Sequence, residues 1–226
     1  MSRTGLLPLF VLCAASLRAD QSDIERLNAS ERVVKEIMAA DDKAIPGSLF
    51  QKAHCAIVIP NMKKAGFVFS AKYGRGFASC RNPGAGWSAP AALRVEGGGF
   101  GLQIGGEETD LILLVMSESG MKGMLASKFT LGGEASAAAG PVGRDVTAQT
   151  DATMRSDILT WSRSRGVFGG VSLQGGTLRP DSDVNKAIYQ ANLENKDILT
   201  GKVKPTSEAA GFLKTLTTYG GEQQKK

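Results

Sequence analysis

The run Arg94–Met116, RVEGGGFGLQIGGEETDLILLVM, constrains the fold more than any other stretch of the chain, because it carries two different strand patterns in succession. In its first half Gly97, Gly99, Gly101, Gln103 and Gly105 share one face at period two, while Phe100, Leu102 and Ile104 share the other. Glycine weakens a strand, so a face built from it points to close approach by another strand, a helix or a ligand, or to a bend where a sheet curls. A turn is expected around Gly105 to Glu108. Beyond it, Leu111 to Met116 is apolar without interruption, the pattern of a strand covered on both faces. The expected fold class is therefore α+β, a small curled antiparallel β-barrel core with about four to five helices packed outside.

Composition agrees with that reading. Glycine contributes 28 of the 226 residues and falls inside apparent strands, which favours a bent β architecture over a low-complexity linker. With 42% hydrophobic and 22% charged residues the chain suits one well-buried domain. The net charge of +5 becomes +3 once a leader containing Arg3 and Arg18 is removed, a mildly basic balance compatible with anionic partners. No nucleic-acid partner is expected from it.

Residues 1–19 have a basic start, an apolar stretch from Leu6 to Ala15 and small residues at the end, which is the pattern of a secretory signal peptide cleaved after Ala19, with Ala15 as the alternative. The apolar stretch is too short to anchor in a bilayer. Cys13 raises a lipoprotein alternative, against which stands Leu12 where a small residue is usual. The expectation is an exported protein, periplasmic or at the cell surface, with residues 20–226 as a single domain. Within it we expect an N-terminal helix at 22–41, a barrel core at 54–180 and C-terminal helices at 182–219. Ser22 and Glu25 form a capping box ahead of Ile24, Leu27, Val34, Ile37 and Met38 at helical spacing, and the polar face of this helix mixes both charges. Ile45 to Lys52 reads as a short second helix with Pro46 in its first turn. Strands are expected at 55–60, 65–74 and 76–80, with Asn61 to Lys64 as a tight basic turn. Ser117 caps a helix bearing Met121, Met124 and Leu125 on one face, strands resume from Phe129 to Ala138 and from Ile158 onward, and two helices follow at Ser182–Leu193 and Pro205–Tyr219.

The chemistry-bearing residues exclude more than they assign. His54 is the only histidine, and it begins an apolar strand instead of joining a nucleophile and a carboxylate. No G-x-S-x-G elbow occurs. One histidine with Cys55 and Cys80 cannot complete a closed zinc set, so no metal is expected. The glycine string fails as a dinucleotide fingerprint because Ile104 stands in the last glycine's place and a strand follows, so no cofactor is expected either. In an oxidising compartment Cys55 and Cys80 can pair between neighbouring strands or remain two small buried thiols. What is left is a set of cations near apparent turns: Lys63, Lys64, Lys72, Arg75, Arg81, Arg94 and Arg144.

An ordered series of short motifs resembles the SYLF domain family. It comprises Ile45-Pro46, Lys63 with Gly66-Phe67, Gly74-x-Gly76, Trp87-Ser88-x-Pro90, and Gly101-x-Gln103-x-Gly105 with Thr109-Asp110. It continues through Ala139-Gly140-Pro141-x-Gly143-Arg144, Trp161-Ser162-x-Ser164-x-Gly166-x-Phe168, and Asn185 with Tyr189. The resemblance implies a small β-barrel with helices outside, no enzymatic activity, and binding to acidic phospholipids, phosphoinositides being the characteristic ligands of eukaryotic members. In those members a basic N-terminal amphipathic region engages the membrane; the first helix here is charge-mixed, and Cys55 stands where small residues are usual. For an exported bacterial member the implied targets are phosphatidylglycerol and cardiolipin. The leading expectation is a non-enzymatic module of the bacterial envelope that recognises anionic phospholipid headgroups, of the phosphoinositide type, through the basic turns carrying Lys63, Lys64, Lys72 and Arg75. The alternative is a structural or interaction protein of the periplasm that binds protein or glycan through a sheet edge or the glycine face. Asp110 is expected to accept backbone N–H bonds at a turn, and Gly140, Pro141 and Gly143 to set loop dihedrals.

Overall fold

The computed structural model describes residues 21–40, 44–66, 69–100, 105–142, 155–164, 167–170 and 175–221. The leader expected at 1–19, the face expected of Leu102 and Ile104, the loop residues Gly143 and Arg144, and positions 171–174 of the expected later strands lie outside the described residues.

The long first helix, α1 (Gln21–Met38), buries Leu27, Val33, Val34 and Ile37. It already includes Gln21 and Ser22, and it stops at Met38, short of the expected Asp41. A short helix, α2 (Gly47–Lys52), starts directly after Pro46, whose fixed φ suits a helix entry. The strands are β1 (Cys55–Gly66), β2 (Phe69–Asn82), β3 (Gly86–Trp87), β4 (Ala91–Phe100), β5 (Gly105–Val115), β6 (Phe129–Thr130), β7 (Ala137–Ala139), β8 (Ile158–Ser164), β9 (Val167–Gly170) and β10 (Thr177–Pro180). Four more helices follow in chain order: α3 (Glu118–Met124), α4 (Ser182–Tyr189), α5 (Asn195–Leu199) and α6 (Ala210–Gly220), the last entered through a 3-10 turn at Ser207–Ala209.

All these strands join one sheet in the order β6-β10-β4-β2-β1-β5-β8-β7, with β3 beside β2 and β9 beside β8. Every pairing is antiparallel except β7 with β8. The two edge strands are consecutive in the chain, joined by a short turn that holds a Leu131–Ala135 bridge, so the sheet curls into a half-barrel. Along β1 and β5 successive residues alternate between two cores. Ile57, Ile59, Leu111, Leu113 and Val115 join Leu93, Val95 and Leu178 on the inner face of the curl. Ala56, Val58, Ile112 and Leu114 join Phe77, Leu159 and Trp161 on the outer face, under side chains of α1, α2 and α6 such as Val34, Phe50, Phe212 and Leu216. An uninterrupted apolar run thus belongs to a strand buried on both sides, as its pattern demands.

Several expectations change at the level of connection. The two halves of the glycine-rich run are not a hairpin: β2 and β1 lie between β4 and β5 in the sheet. Gly105 to Glu108 are strand residues paired with Gly66 to Lys63, and the connection falls at 101–104, outside the described residues. Asn61 to Lys64 do not form a turn either. Strand β1 continues through them with a bulge, where the pairing shifts between Val58 and Lys63 against β2 and Asn61 takes a left-handed φ of 50°. Opposite this bulge β2 carries Gly74 and Gly76 without a break, so the two strands expected at 65–74 and 76–80 merge from Phe69 onward, while Ala65 and Gly66 end β1. A Cβ at Gly76 would stand 2.0 Å from the Val58 carbonyl oxygen, which is why glycine is required there and does not break the strand. At Gly97 a Cβ would lie 3.3 Å from backbone atoms of Gly175 and Gly176, so this position of the glycine face is covered closely by the turn into β10.

The expected strand at Phe129–Ala138 divides into β6 and β7 around a turn, and the helix expected to reach Leu193 ends at Tyr189, where Gln190 adopts φ 52° and Ala191 is exposed. Ser117 caps α3 as expected, its hydroxyl accepting from Gly120 N at 3.0 Å. Cys55 and Cys80 face each other across β1 and β2, fully buried, and are joined by a disulfide.

Candidate functional site

The bulge in β1 decides which basic residues share a surface. Beyond it Lys63 stands opposite Tyr73 of β2 and Glu108 of β5, while Lys64 stands opposite Lys72 and Glu107. Alternation along β2 then puts Tyr73 and Arg75 on the outer face with Phe77, and Lys72 on the inner face with Ala78. The four residues expected to act together are therefore divided, Lys63 and Arg75 outside, Lys64 and Lys72 inside.

On the outer face α1 adds what the strands lack. Together α1, the bulge and β2 enclose a cleft of about 510 Å³ lined by Arg26, Arg32, Lys63, Tyr73 and Arg75, with Glu25 as the carboxylate on its wall. Two of the arginines are held from behind. Arg75 Nε donates to Asp181 Oδ2 at 2.6 Å, and the Asp181 side chain is 2% exposed against 33% for Arg75. That bond keeps the Arg75 pKa above its ordinary value in spite of partial burial, so the guanidinium stays charged. Arg26 donates to Asp23, which is likewise buried. Lys63 lies 3.8 Å from Glu108, but both side chains are largely exposed, so water screens the pair. Arg32 is exposed and makes no ion pair among the described residues. Lys64 is different: its side chain is mostly covered, 4.0 Å from Glu107, which also accepts from Ser164 Oγ.

Asp110 accepts a backbone N–H as expected, from Asn61 at the bulge (2.9 Å), and binds Arg163 through Nε at 3.0 Å and Nη2 at 2.6 Å. Arg163 also pairs with Glu36 of α1. This chain of contacts fixes the cleft's floor to its helical wall. The remaining motif residues serve the frame. Trp161 Nε1 donates to the Pro141 carbonyl at 2.8 Å over Gly140, Asn185 Oδ1 accepts from Ala92 N at 2.7 Å, and Tyr189 Oη donates to the Pro90 carbonyl at 2.6 Å. His54 contributes its backbone, N–H to Val115 and C=O to Arg81. Among the described residues no group of three or more His, Cys, Asp and Glu is placed to hold a metal ion.

Arg26 and Arg32 were not candidates on sequence grounds. They sit in a helix whose charged face reads as solvated, roughly thirty to fifty positions from the strands they meet, and no local pattern marks them.

Residues 96–219 match the family model described as Ysc84, Las17-binding protein actin regulator. This chain belongs to the Ysc84 family. The motif series above carries the same assignment under the name SYLF. Among curated Ysc84-like relatives, Protein YSC84 of Saccharomyces cerevisiae is 35% identical over 180 residues, covering 77% of this chain and 38% of the relative. An SH3 domain-containing protein of Schizosaccharomyces pombe is 34% identical over 179 residues, covering 78% and 41%. The human SH3 domain-containing YSC84-like protein 1 is 32% identical over 179 residues, covering 79% and 52%. The chain thus spans about half or less of the length of these relatives.

Proposed function

We propose that this Ysc84-family chain is a non-enzymatic module that docks on anionic phospholipid surfaces through the outer-face cleft. One observation carries the reading: Arg26, Arg32, Lys63 and Arg75 line a single concavity, and the aspartates that balance two of them are buried behind it. Cations near an anionic lipid surface contribute about 1 kcal/mol each, so several on one face give useful affinity where scattered ones do not. Tyr73, 48% exposed beside them, offers an aromatic ring of the kind that settles at headgroup depth. In the exported setting that residues 1–19 imply, the surfaces available are phosphatidylglycerol and cardiolipin in the bacterial envelope.

The test is sedimentation of residues 20–226 with vesicles of phosphatidylcholine alone and with added phosphatidylglycerol or cardiolipin, at low and high salt. Binding should need the anionic lipid and weaken with salt. Because neighbours on a strand face opposite ways, Lys63→Glu should weaken binding by about tenfold while Lys64→Glu leaves it nearly unchanged. Equal effects of the two would remove the cleft from the reading.

A second reading rests on the family description, which names a Las17-binding actin regulator. For this chain it corresponds to a protein partner in the periplasm. Indifference to every vesicle, together with stoichiometric recovery of one envelope protein, would favour it.

A further inference from the structure

We propose that a second cavity, between the start of α1, the end of α4 and the 3-10 turn at Ser207–Ala209, binds a small primary amine with an apolar body. Its volume is about 430 Å³, within the range of small-ligand sites. It is separate from the basic cleft. At 100° per residue, Ser22, Arg26 and Ala29 of α1 turn toward the cleft, while Asp23, Ile24 and Leu27 turn toward this cavity on the opposite side of the helix. Ile24 and Leu27, with Ile188 of α4, supply its apolar surface. A ligand that fills it therefore needs an apolar stem.

Two independent observations give that stem its head group. The ionisable side chains on the wall are both acids, Asp23 and Glu208, and among the described residues no lysine or arginine lines the cavity. Asp23 is buried and already holds Arg26. Glu208, exposed and in no ion pair among the described residues, is thus the carboxylate left to meet a cation. The second observation is an orphaned oxygen. Thr206 lines the same cavity, its Oγ1 is buried without a hydrogen-bond partner, and it does not cap the 3-10 turn that it precedes. A buried acceptor left unmade is costly, and an N–H donor removes that cost. An alkylammonium carries one positive charge and three donors at the end of an apolar stem, so it can meet Glu208 and Thr206 together. An alcohol of the same length leaves the carboxylate unmatched, and a fatty carboxylate is repelled by it. Because Glu208 is exposed, the ion pair adds modestly and the stem supplies most of the affinity.

The experiment titrates the purified protein with hexylamine, butylamine, hexanol and hexanoate at neutral pH, read by the amide resonances of Ile24, Ile188 and Glu208. Glu208→Gln and Thr206→Val remove the charge and the oxygen at nearly constant shape. Glu118→Gln removes an exposed acid on α3, which packs on the inner face of the sheet, away from α1; the melting temperature of each variant verifies folding. We expect hexylamine to saturate the site about tenfold more tightly than butylamine, since two further methylenes are buried, and more tightly than hexanol, with hexanoate inert. Glu208→Gln and Thr206→Val should each weaken hexylamine by about threefold, and Glu118→Gln should leave it unchanged. Hexanol binding as well as hexylamine, equal effects of Glu208→Gln and Glu118→Gln, an unchanged affinity in Thr206→Val, or no saturable shift at these amides overturns the inference. So does sedimentation equilibrium showing a dimer in which these amides are covered, which assigns the cavity to a second copy of the chain. The basic cleft takes no part in these readouts, so either result leaves the anionic-surface reading to its own test.

Discussion

Arg81 shows how one side chain's role depends on what folds around it. Grouped by sequence with the cations near apparent turns, it is 7% exposed, and it donates to carbonyls at the C-terminal ends of α2 and α6. Its Nε reaches Ala53 O at 3.0 Å, Nη1 reaches Gly221 O at 2.9 Å, and Nη2 reaches Gly220 O at 2.6 Å and Phe50 O at 3.4 Å. Its guanidinium lies over the Trp87 ring, 4.3 Å from the centroid. Burial pushes its pKa below the ordinary value, and the carbonyls at the ends of α2 and α6 supply the compensating negative partial charge. Arg81→Met should therefore cost about 3–5 kcal/mol in urea unfolding, because several buried carbonyls lose a charged donor together, and Arg81→Lys should rescue little of it. Asp157 makes a smaller prediction. Ser117 Oγ donates to its carboxylate, Ser136 donates from both N and Oγ at 2.9 and 2.8 Å, and these bonds hold its pKa below the usual carboxylate value against the opposing effect of burial. A depressed acid contributes stability above its unfolded pKa and loses it as pH falls through the lower folded one. Asp157→Asn should thus flatten the acid limb of a stability curve below about pH 4, by about 1 kcal/mol or less for so exposed a group.

At the scale of elements, several local signals carried through to the structure. The amphipathic spacing of α1, the Ser117 cap and the double burial of β5 follow from residue order alone, because periodicity and hydrogen-bonding capacity act over a few positions. The segment from Asn61 to Lys64 shows where that stops. Its composition calls for a turn-like conformer, which Asn61 adopts, but β2 on one side and β5 on the other hold the chain in the sheet. A ladder partner far away in sequence converts an expected reversal into a bulge, and with it moves Lys63 and Lys64 to opposite faces. The neighbouring disulfide is an element-scale device of the same pair of strands. Cys55 and Cys80 are 25 residues apart, so the bridge restricts a long closed loop in the unfolded chain. Replacing both by alanine should lower stability by about 2–4 kcal/mol, read as a lower melting temperature that no longer responds to reductant.

For the whole molecule the question is what the outer helices contribute. Helix α1 covers the outer core with Leu27, Val33, Val34 and Ile37, all nearly inaccessible. At about 1.5–3 kcal/mol per buried side chain these four approach the entire stability of an ordinary domain. Deleting residues 21–38 should therefore abolish cooperative thermal unfolding and expose apolar surface that binds a hydrophobic dye; a soluble, cooperatively unfolding product would show that the half-barrel stands without its cover. The deletion would also remove one wall of the cleft, so folding and the proposed recognition of anionic surfaces would depend on the same helix. The sequence by itself determined the class of fold, the two-sided burial of the central strands, most helix locations and the family, since each rests on residue type and short-range spacing. Tertiary structure alone decided the strand order, the bulge, which lysines look outward, and the meeting of Arg26 and Arg32 with Lys63 and Arg75. The physical reason is that a composite site is defined by contacts between segments distant in the chain, and residue order carries no distance information until backbone pairing and packing have set the register.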